Sequence, residues 1–368
     1  MTPSFWAGKR VFLTGHTGFK GAWFALWLEQ LGAHVAGYSL HPPSQPNLFD
    51  VANVRSVITK HWHADLRDLA ALRAAVSQFE PDILLHLAAQ SLVRESYLRP
   101  IDTYATNVMG TAHVLEVARH VPSVRVVVVA TSDKCYENRE FNHAYREDDA
   151  MGGHDPYSSS KGAAELVTAA YAHSFFETGA KCSVASVRAG NVIGGGDWAK
   201  DRLMADLMRG LMAGEPIVIR QPRAIRPWQH VLDPLAGYLS AAENAWPIAA
   251  KWEGWNFGPD AGSERTVEEV AILSCRLWGR TDLLRINEDS NAPHEAAMLK
   301  LDSAKARAQL GWAPRWGFEE AMARTIEWYR RYTAGEAMLA FTRQQLAAYR
   351  DATDHAASSK KTGNRVHA

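Results

Sequence analysis

Three glycines spaced three residues apart, Gly15, Gly18 and Gly21, directly follow an apolar stretch near the start of the chain. Such glycines allow a tight turn between a strand and a helix, and they let the backbone approach a pyrophosphate. The helix that follows directs free N–H groups and its positive dipole end at that anion. The spacing differs from the usual G-x-G-x-x-G pattern, but its place after a first strand predicts a dinucleotide-binding turn. His16 and Phe19 lie within this turn.

The first half of the chain alternates strand-like and helix-like segments, which predicts a parallel sheet covered by helices on both faces. The predicted strands are Arg10–Thr14, His34–Tyr38, His61–Ala64, Ile83–Leu87, Val124–Ala130 and Cys182–Arg188. The predicted helices are Gly21–Leu31, Leu69–Phe79, Thr103–His120 and a helix that starts at the N-cap Asp155 and continues through Phe176. Because the segment 124–130 is nearly all valine, we expect it to be a central strand buried on both faces. The expected fold class is α/β, with a Rossmann-like doubly wound parallel sheet.

After Arg188 the pattern becomes mixed, which predicts a smaller α+β substrate-binding lobe interleaved with the end of the sheet. Its predicted helices and strands are Asp201–Ala213, Ile217–Arg220, Val231–Asn244, Trp255–Phe257, Val267–Leu277 and Phe318–Tyr329. We expect residues 1–188 to form the dinucleotide-binding domain and 189–350 mainly the second lobe. Residues 355–368 are polar and are expected to be a disordered tail.

Tyr157 and Lys161 lie four residues apart, which places a phenol and an ammonium group on one face of the predicted helix. An unassisted tyrosine ionises near pH ~10 and is a poor base at neutral pH. A lysine one turn away is expected to lower that pKa, so that Tyr157 can take a hydroxyl proton while hydride leaves the carbon. A solvated helix face is the alternative, but the upstream glycine turn favours the catalytic interpretation.

The predicted valine-rich strand ends in Ser132, Asp133 and Lys134. The carboxyl edge of an open α/β sheet is where ligands bind. Ser132 can hydrogen-bond the reacting oxygen, and Asp133 with Lys134 adds an acid and a base that a plain alcohol dehydrogenase does not require. A capped and solvated strand end is the alternative interpretation.

The ribose-binding signal departs from the usual one. An NAD site usually has an Asp or Glu at the end of the second strand, but the segment 37–41 has neither a carboxylate nor an arginine for a 2′-phosphate. Ser39 or a backbone group is expected to serve instead. The other candidate cofactor contacts, at the ends of later strands and on the helix 103–120, are Asp65, Leu66, Ala88, Ala89 and Asn107.

The composition excludes several classes of protein. Forty basic and forty acidic residues balance, which argues against broad binding of nucleic acid or anionic membranes. Three scattered cysteines without C-x-x-C spacing indicate neither a disulfide framework nor a zinc site. His61 and His63 alternate on one strand face but lack a third ligand, so we expect packing and no metal. No apolar run reaches ~20 residues, and the early first strand leaves no room for a signal peptide, so the expected location is cytoplasmic.

Four runs of sequence carry a resemblance to a known family: 15–21, 131–138, 190–198 and 225–231. With these runs the chain resembles the extended short-chain dehydrogenase/reductase family, and within it the nucleotide-sugar 4,6-dehydratases. Sister enzymes that act on other nucleotide sugars typically carry Asp-Glu where this chain has Asp133-Lys134. That difference favours the branch that acts on CDP-sugars.

The resemblance implies bound NAD and CDP-glucose as the substrate, converted to CDP-4-keto-6-deoxyglucose and water. Tyr157 would deprotonate the C4 hydroxyl as C4 is oxidised, Asp133 would protonate the departing C6 hydroxyl, and hydride would return to C6. We expect Lys134 to abstract the C5 proton or to orient the group that does; the alternative is that it pairs with Asp133 or a phosphate. The resemblance also implies a homodimer and a role in deoxysugar synthesis for bacterial surface polysaccharides such as O-antigen.

The second lobe is expected to hold the substrate pyrophosphate, for which arginine offers forked donors. The candidate substrate contacts are Asn191, Arg202, Arg226 and His230, although a histidine that opens a helix is more often structural. His294 and Glu295 are further candidates. An epimerase or reductase on the same scaffold, a dehydratase for a different nucleotide sugar, and a non-catalytic dinucleotide sensor are the competing hypotheses. The acid/base pair Asp133-Lys134 argues against the epimerase, and the intact Tyr157 and Lys161 argue against the sensor.

Overall fold

The computed structural model describes residues 2–139, 143–177, 182–219, 221–247, 252–260, 262–286 and 299–363, with side chains through residue 352 in the last range. Its centre is a sheet of seven strands: β1 Arg10–Thr14, β2 His34–Ser39, β3 Lys60–His63, β4 Ile83–His86, β5 Val126–Ala130, β6 Ser183–Arg188 and β7 Trp252–Asn256. Their order in the sheet is β7-β6-β5-β4-β1-β2-β3, and every neighbouring pair is parallel. The direction of strand succession reverses between β1 and β4, which defines the switch point where open α/β sheets bind ligands. The predicted α/β doubly wound fold is confirmed.

Helices connect the strands much as the sequence pattern predicts. In the first half they are Pro3–Trp6, Phe19–Gln30, Leu48–Val51, Leu69–Phe79, Val93–Leu98, Pro100–Tyr104, Gly110–His120 and Pro156–Tyr171. The predicted helix 103–120 is divided by a π-turn at Ala105–Met109, and a second π-turn, Ala172–Phe176, extends the helix that begins at Pro156. Short 3-10 turns occupy Val54–Ser56 and Asp133–Cys135.

The second half supplies a smaller α+β part. Its helices are Leu203–Ala213, Leu232–Ala245, Val267–Trp278, Ala304–Leu310, Phe318–Thr333 and Met338–Gly363, with a 3-10 turn at Thr281–Leu283. Four two-stranded pairings accompany them: Val192–Ile193 with Gln229–His230, Ile225–Pro227 with Glu264–Thr266, Ile217–Ile219 with Leu284–Ile286, and Lys300–Leu301 with Ala144–Tyr145. β7 follows much of this part in sequence, yet it completes the edge of the central sheet beside β6.

The core lies on both faces of the sheet. The four valines of β5 are fully or almost fully buried, as expected of a central strand. The domain boundary near residue 188 stays a prediction. Of the tail predicted to be disordered, residues 355–363 continue the helix Met338–Gly363, and residues 364–368 lie outside the described ranges. Within the described ranges, no helix combines the length and apolar character that a membrane crossing needs.

Candidate active site

The glycine turn after β1 forms a cradle that no larger residue fits. Gly15 has a φ of +76°, and a Cβ there would lie 2.7 Å from the backbone nitrogen of Ala88. A Cβ on Gly21 would lie 2.1 Å from the carbonyl oxygen of Gly15. Gly18 is the N-cap of the helix Phe19–Gln30, so this helix directs its N-terminus at the switch point. The cradle therefore fits a pyrophosphate-containing ligand held by backbone groups.

The ends of β1 and β4 are fixed to each other at the same point. The hydroxyl of Thr14 accepts hydrogen bonds from the backbone nitrogens of Leu87 and Ala88, each at 3.1 Å. This contact holds the small residues Ala88 and Ala89 beside the glycine turn. Their predicted contact with a nicotinamide ribose stays a prediction.

Asn107 locks the loop after β4 onto the neighbouring helices. Its side-chain oxygen accepts from the backbone nitrogen of Gln90, and its side-chain nitrogen donates to the Gln90 carbonyl and to the Ser160 hydroxyl, all at 2.9 Å. Because the amide is engaged with the protein at both ends, this geometry supports a positioning role. Direct contact of Asn107 with a cofactor stays a prediction.

Histidines and hydroxyls surround the end of β2, where the adenine end of the cofactor is predicted to bind. His16 is fully buried over Gly37, whose Cβ would lie 2.5 Å from the imidazole, and its Nε2 lies 2.9 Å from Nδ1 of His61. Burial, followed by the nearby His61 and His63, lowers the pKa of His16 to about 3. The hydroxyls of Ser39 and Thr17 hydrogen-bond at 2.7 Å. Segment 37–41 itself carries neither a carboxylate nor an arginine, but Arg55 adds positive charge near these histidines.

Asp65 and Leu66 follow β3 but differ in exposure. Asp65 pairs with Arg67 at 2.7 Å, and this hydrogen bonding lowers its pKa. Leu66 is buried against Gly110, where a Cβ would lie 2.7 Å from its side chain. Together they place one polar and one apolar surface near the predicted adenine position. The described residues contain no group of three or more His, Cys, Asp or Glu that could hold a metal ion.

Tyr157 opens the helix Pro156–Tyr171, whose N-cap Asp155 accepts a hydrogen bond from the backbone nitrogen of Ser158. The phenol is almost buried and hydrogen-bonds with the Ser132 side chain. Burial raises the pKa of Tyr157 to about 12, with the Ser132 hydrogen bond opposing this rise. The expectation that Lys161 lowers the pKa of Tyr157 is therefore wrong. Burial has the largest effect on the phenol, and among the charged groups Asp133 adds to the rise while Arg202 opposes it.

Lys161 lies beneath the site and contacts the sheet. Its Nζ donates a hydrogen bond to the carbonyl oxygen of Ala130 at 3.2 Å, at the end of β5. Burial lowers the pKa of Lys161 to about 8, opposed by the carboxylate of Glu165. The ammonium is thus held on the same helix face as Tyr157, as the spacing predicts.

Ser132, Asp133 and Lys134 form the first turn after β5. The Ser132 hydroxyl donates to Oδ1 of Asp133 at 2.8 Å, and its oxygen accepts from the backbone nitrogen of Lys134 at 3.3 Å. Asp133 is buried against Gly190, where a Cβ would lie 2.1 Å from its other carboxylate oxygen. The glycine at 190 thus makes room for the carboxylate, and the turn directs a hydroxyl, a carboxylate and an amine to the edge of the sheet.

One cleft joins these groups to the second lobe. It has a volume of about 330 Å³. The predicted site residues that line it are Phe19, Ser132, Asp133, Lys134, Tyr157, Asn191, Arg202 and Arg226. Arg202 donates to Asp197 at 2.8 Å and to the Ser91 hydroxyl at 2.9 Å, so its guanidinium is oriented before a ligand binds. Arg226 lies on the strand Ile225–Pro227, which pairs with Glu264–Thr266. The sequence-predicted catalytic and substrate groups therefore converge, apart from those described next.

His230 is not brought to the cleft. The strand Gln229–His230 pairs with Val192–Ile193 and turns this imidazole into the core, where it is fully buried between Trp316 and Trp23, with ring centroids 4.7 and 6.0 Å away. Burial lowers the pKa of His230 to about 3. A packing role accounts for these contacts, in place of the predicted substrate contact. His294 and Glu295 lie outside the described residues.

Several residues of the cleft were missed by the sequence reasoning. The polar ones are Lys20, Ser91, Arg94, Asp197, Asp201 and Gln221. Lys20 and Asp197 lie inside the two runs that carry the family resemblance, at 15–21 and 190–198. Their charge, inside a glycine-rich run, was the feature of the sequence that could have predicted both as site residues.

The parallel sheet, the glycine cradle at its switch point and the Tyr157/Lys161 helix define a Rossmann-type enzyme of the extended short-chain dehydrogenase/reductase class. The sequence profile described as GDP-mannose 4,6 dehydratase matches residues 12–325, and the chain belongs to this family.

Relatives and solved structures agree with this membership. The chain is 49% identical over 355 residues to CDP-glucose 4,6-dehydratase of Salmonella typhimurium, covering 95% of this chain and 98% of the relative. Among solved structures it is similar to MoeE5 in complex with UDP-glucose and NAD, with a TM-score of 0.74, 26% identity and coverage of 88% and 99% of the two chains. It also shares the fold of dTDP-glucose 4,6-dehydratase from Bacillus anthracis in complex with NAD, with a TM-score of 0.75, 20% identity and coverage of 90% and 100%.

Proposed function

We propose that this protein is an NAD-dependent CDP-glucose 4,6-dehydratase, which converts CDP-glucose to CDP-4-keto-6-deoxyglucose and water. The observation that carries the proposal is the presence of Asp133 and Lys134 in one cleft with Tyr157. Epimerisation at C4 needs only hydride exchange with the cofactor and rotation of the ketone, whereas elimination of water across C5 and C6 needs an additional acid and base. The similarity to the Salmonella enzyme over nearly the full length of both chains supports the choice of CDP-glucose.

The residues at the switch point fit NAD. The cradle at Gly15 and Gly21 leaves room for a pyrophosphate against the backbone, and the N-terminus of the helix Phe19–Gln30 faces it. When bound, the nicotinamide ring would accept a hydride from the sugar and later return it. NAD is also the cofactor in the solved MoeE5 complex to which this chain is similar, which supports NAD here.

Tyr157 and Ser132 act at the C4 hydroxyl in this proposal. The Ser132 hydroxyl and the Tyr157 phenol lie side by side in the cleft, so both can hold one sugar hydroxyl. Tyr157 accepts its proton as C4 becomes a ketone. Because burial raises the pKa of the phenol, nearby positive charge is needed for this step. Lys161 lies on the same helix face with its ammonium group at the end of β5 and supplies such charge.

Asp133 and Lys134 act at C6 and C5. The new ketone at C4 acidifies the C5 proton, and we assign its removal to Lys134. Asp133 gives a proton to the C6 oxygen, which leaves as water. The hydrogen bond from Ser132 to Oδ1 and the close packing of Gly190 hold this carboxyl in one orientation. Arg202 and Arg226 bind the substrate diphosphate in this proposal.

Incubation with CDP-glucose and NAD tests the proposed function. We expect a product with the alkaline absorbance of a 4-keto sugar and with one water fewer than the substrate by mass spectrometry. dTDP-glucose, UDP-glucose and GDP-mannose form the comparison arms. A product of unchanged mass would indicate epimerisation, and faster turnover of another nucleotide sugar would contradict the assignment of CDP-glucose.

We also propose that the enzyme is a homodimer. Leu98, Ile101 and Leu166 are 77%, 77% and 63% exposed, and they lie on helices that pack against one another beside the site. A second copy of this chain would cover this apolar face. Light scattering after size-exclusion chromatography should give about twice the chain mass, and Ile101→Glu should give monomers. Val218→Glu is the matched control, because Val218 is also apolar and exposed but lies on the strand Ile217–Ile219. This variant should stay dimeric.

The proposed setting is the bacterial cytoplasm, where the product would feed deoxysugar synthesis for lipopolysaccharide O-antigen. The cysteines at 135, 182 and 275 are all free and buried, which suits a reducing compartment. Deletion of the gene should remove the corresponding deoxysugar from the surface polysaccharide, as measured by sugar analysis. An unchanged polysaccharide would contradict this setting.

A further inference from the structure

Lys20 is a cation in the active cleft that the proposed mechanism does not use. It is the second residue of the helix Phe19–Gln30, and its side chain lines the cleft together with Asp133 and Arg202. Within the described ranges it forms neither a hydrogen bond nor an ion pair; only burial and more distant charges act on it. Its surroundings therefore lack a direct partner for a partly buried ammonium group.

The charges around Lys20 indicate what is missing. Among the nearby charges, Arg202 has the strongest effect on Lys20 and repels it, and Lys161 adds to the repulsion. Asp133 and Asp197 attract it, but Asp197 is already paired with Arg202 at 2.8 Å. Two cations held near each other beside a cleft favour an anion between them.

The charge of the whole cleft agrees with this requirement. Five cationic side chains and three carboxylates line it, which leaves an excess of two positive charges. A diphosphate diester carries two negative charges and would balance that excess. Lys20 also lies between Gly18 and Gly21, so its side chain begins at the glycine turn that forms the cradle.

We infer that Lys20 is a diphosphate-binding residue that works together with Arg202 as a clamp. The inference rests on the proposed function, in which two diphosphates reach this region, one in the cofactor and one in the nucleotide sugar. Both share the chemistry that Lys20 and Arg202 recognise. Arg202 is pre-oriented by Asp197 and Ser91, whereas Lys20 gains its first direct partner when the anion arrives.

The anion would also change the protonation of Lys20. Burial, then the charge of Arg202, lowers the pKa of Lys20 to about 8 in the ligand-free protein. A bound diphosphate favours the charged amine and raises that pKa. At pH 8 binding should therefore take up protons, a signal that a merely structural lysine would not give.

The test is direct binding of ADP-ribose and of CDP, measured by calorimetry on wild type, Lys20→Met and Lys20→Arg. We expect Lys20→Met to lower the affinity for at least one of these two ligands by about tenfold. The affinities for adenosine and cytidine, which carry no phosphate, should not change. Lys20→Arg should retain most of the affinity. Lys200→Met removes a nearby exposed lysine that does not line the cleft, and it should bind like wild type. Titrations in buffers of different ionisation enthalpy should show proton uptake that Lys20→Met loses.

The two arms identify the source of the anion. Weakening for ADP-ribose alone assigns Lys20 to the cofactor, weakening for CDP alone assigns it to the substrate, and weakening for both places it between them. Unchanged affinity for both, in a variant with wild-type circular dichroism, overturns the inference. Failure of the proposed function would instead appear as no product from CDP-glucose, which leaves the ADP-ribose arm interpretable.

Thermal unfolding provides a second measurement. Without ligand, Lys20→Met should unfold at a higher temperature than wild type, because the substitution removes an unpartnered cation that Arg202 repels. Added ADP-ribose or CDP should then raise the unfolding temperature of the variant less than that of wild type. A variant that is destabilised without ligand and gains the full ligand stabilisation would contradict the clamp.

Discussion

The carboxylate of Glu165 and the guanidinium of Arg188 form a doubly hydrogen-bonded ion pair in the core, with N–O distances of 2.8 and 2.9 Å. Glu165 lies one helical turn beyond Lys161, which lies one turn beyond Tyr157. The hydroxyl of Thr131 also donates to Glu165, so the pair connects this helix to the ends of β5 and β6. The pair thereby fixes the helix face that presents Tyr157 and Lys161.

Arg188→Met should destabilise the fold strongly, because it leaves the Glu165 carboxylate buried without its partner. Loss of one member of a buried pair typically costs about 3–5 kcal/mol, measured as the free energy of unfolding in urea. The double variant Glu165→Leu/Arg188→Met should recover most of this loss, since no buried charge remains. If the two single losses simply add in the double variant, the pair is not the coupled unit described here.

The sequence was sufficient for the fold and for the charged groups at the strand ends. The strand Arg10–Thr14 and the helix Leu69–Phe79 have the predicted bounds. Both are short segments with clear periodicity, bounded by glycine or by a good N-cap. Ser132, Asp133 and Tyr157 converge because parallel strands and their following helices meet at one edge of a sheet.

Other features depend on contacts between distant segments, which local patterns do not contain. His230 faces the core because its strand pairs with Val192–Ile193, about 37 residues earlier in the chain. The raised pKa of Tyr157 follows from burial, which the spacing of Tyr157 and Lys161 does not reveal. The helix Met338–Gly363 was not predicted, because its tertiary packing, through residues such as Tyr349, outweighs its weak periodicity.

Tyr157→Phe should keep the fold and cofactor binding but lower turnover by about 10²–10⁴-fold, since only the ionisable oxygen is lost. The phenol of the ligand-free protein should stay protonated until about pH 12. Ultraviolet difference titration of wild type against the variant measures this pKa. The pKa should fall when NAD binds, because the oxidised nicotinamide adds positive charge near the phenol. Wild-type-like turnover in the variant would remove Tyr157 from the mechanism.

Asp233→Asn should remove a pH-dependent loss of stability. Oδ1 of Asp233 accepts hydrogen bonds from the Tyr349 hydroxyl and the Arg315 backbone nitrogen, each at 2.8 Å, and burial raises the pKa of Asp233 to about 7. A carboxyl with a raised pKa in the folded state stabilises the fold most below its unfolded pKa of about 4. This stabilisation is lost as the pH rises from about 4 through about 7.

The change should be on the order of 2–4 kcal/mol in the free energy of unfolding between pH 4.5 and 8. Asp233→Asn keeps the accepting oxygen and cannot ionise, so its stability should vary less over this range. Asp282→Asn, at an exposed carboxylate, is the control and should follow the wild-type curve. Parallel curves for wild type and Asp233→Asn would show that Asp233 does not titrate in this range.

Lys134→Met tests the assignment of the C5 base. Lys134 follows Asp133 in the turn after β5 and lines the cleft. The variant should still oxidise C4, visible as absorbance of the reduced cofactor and as a 4-keto hexose after quenching. It should not release water, and the C5 hydrogen should not exchange with solvent deuterium, as followed by mass spectrometry.

Lys20→Met is the matched comparison, because Lys20 lines the same cleft as Lys134 but is assigned to anion binding. At saturating NAD and CDP-glucose, that variant should exchange the C5 hydrogen, since its loss is one of affinity. A methionine at 134 removes the amine while keeping an unbranched side chain of similar length, so the packing of the turn should be retained. If Lys134→Met exchanges the C5 hydrogen at the wild-type rate, Lys134 is not the base. If Lys20→Met alone abolishes exchange at saturation, the base is Lys20.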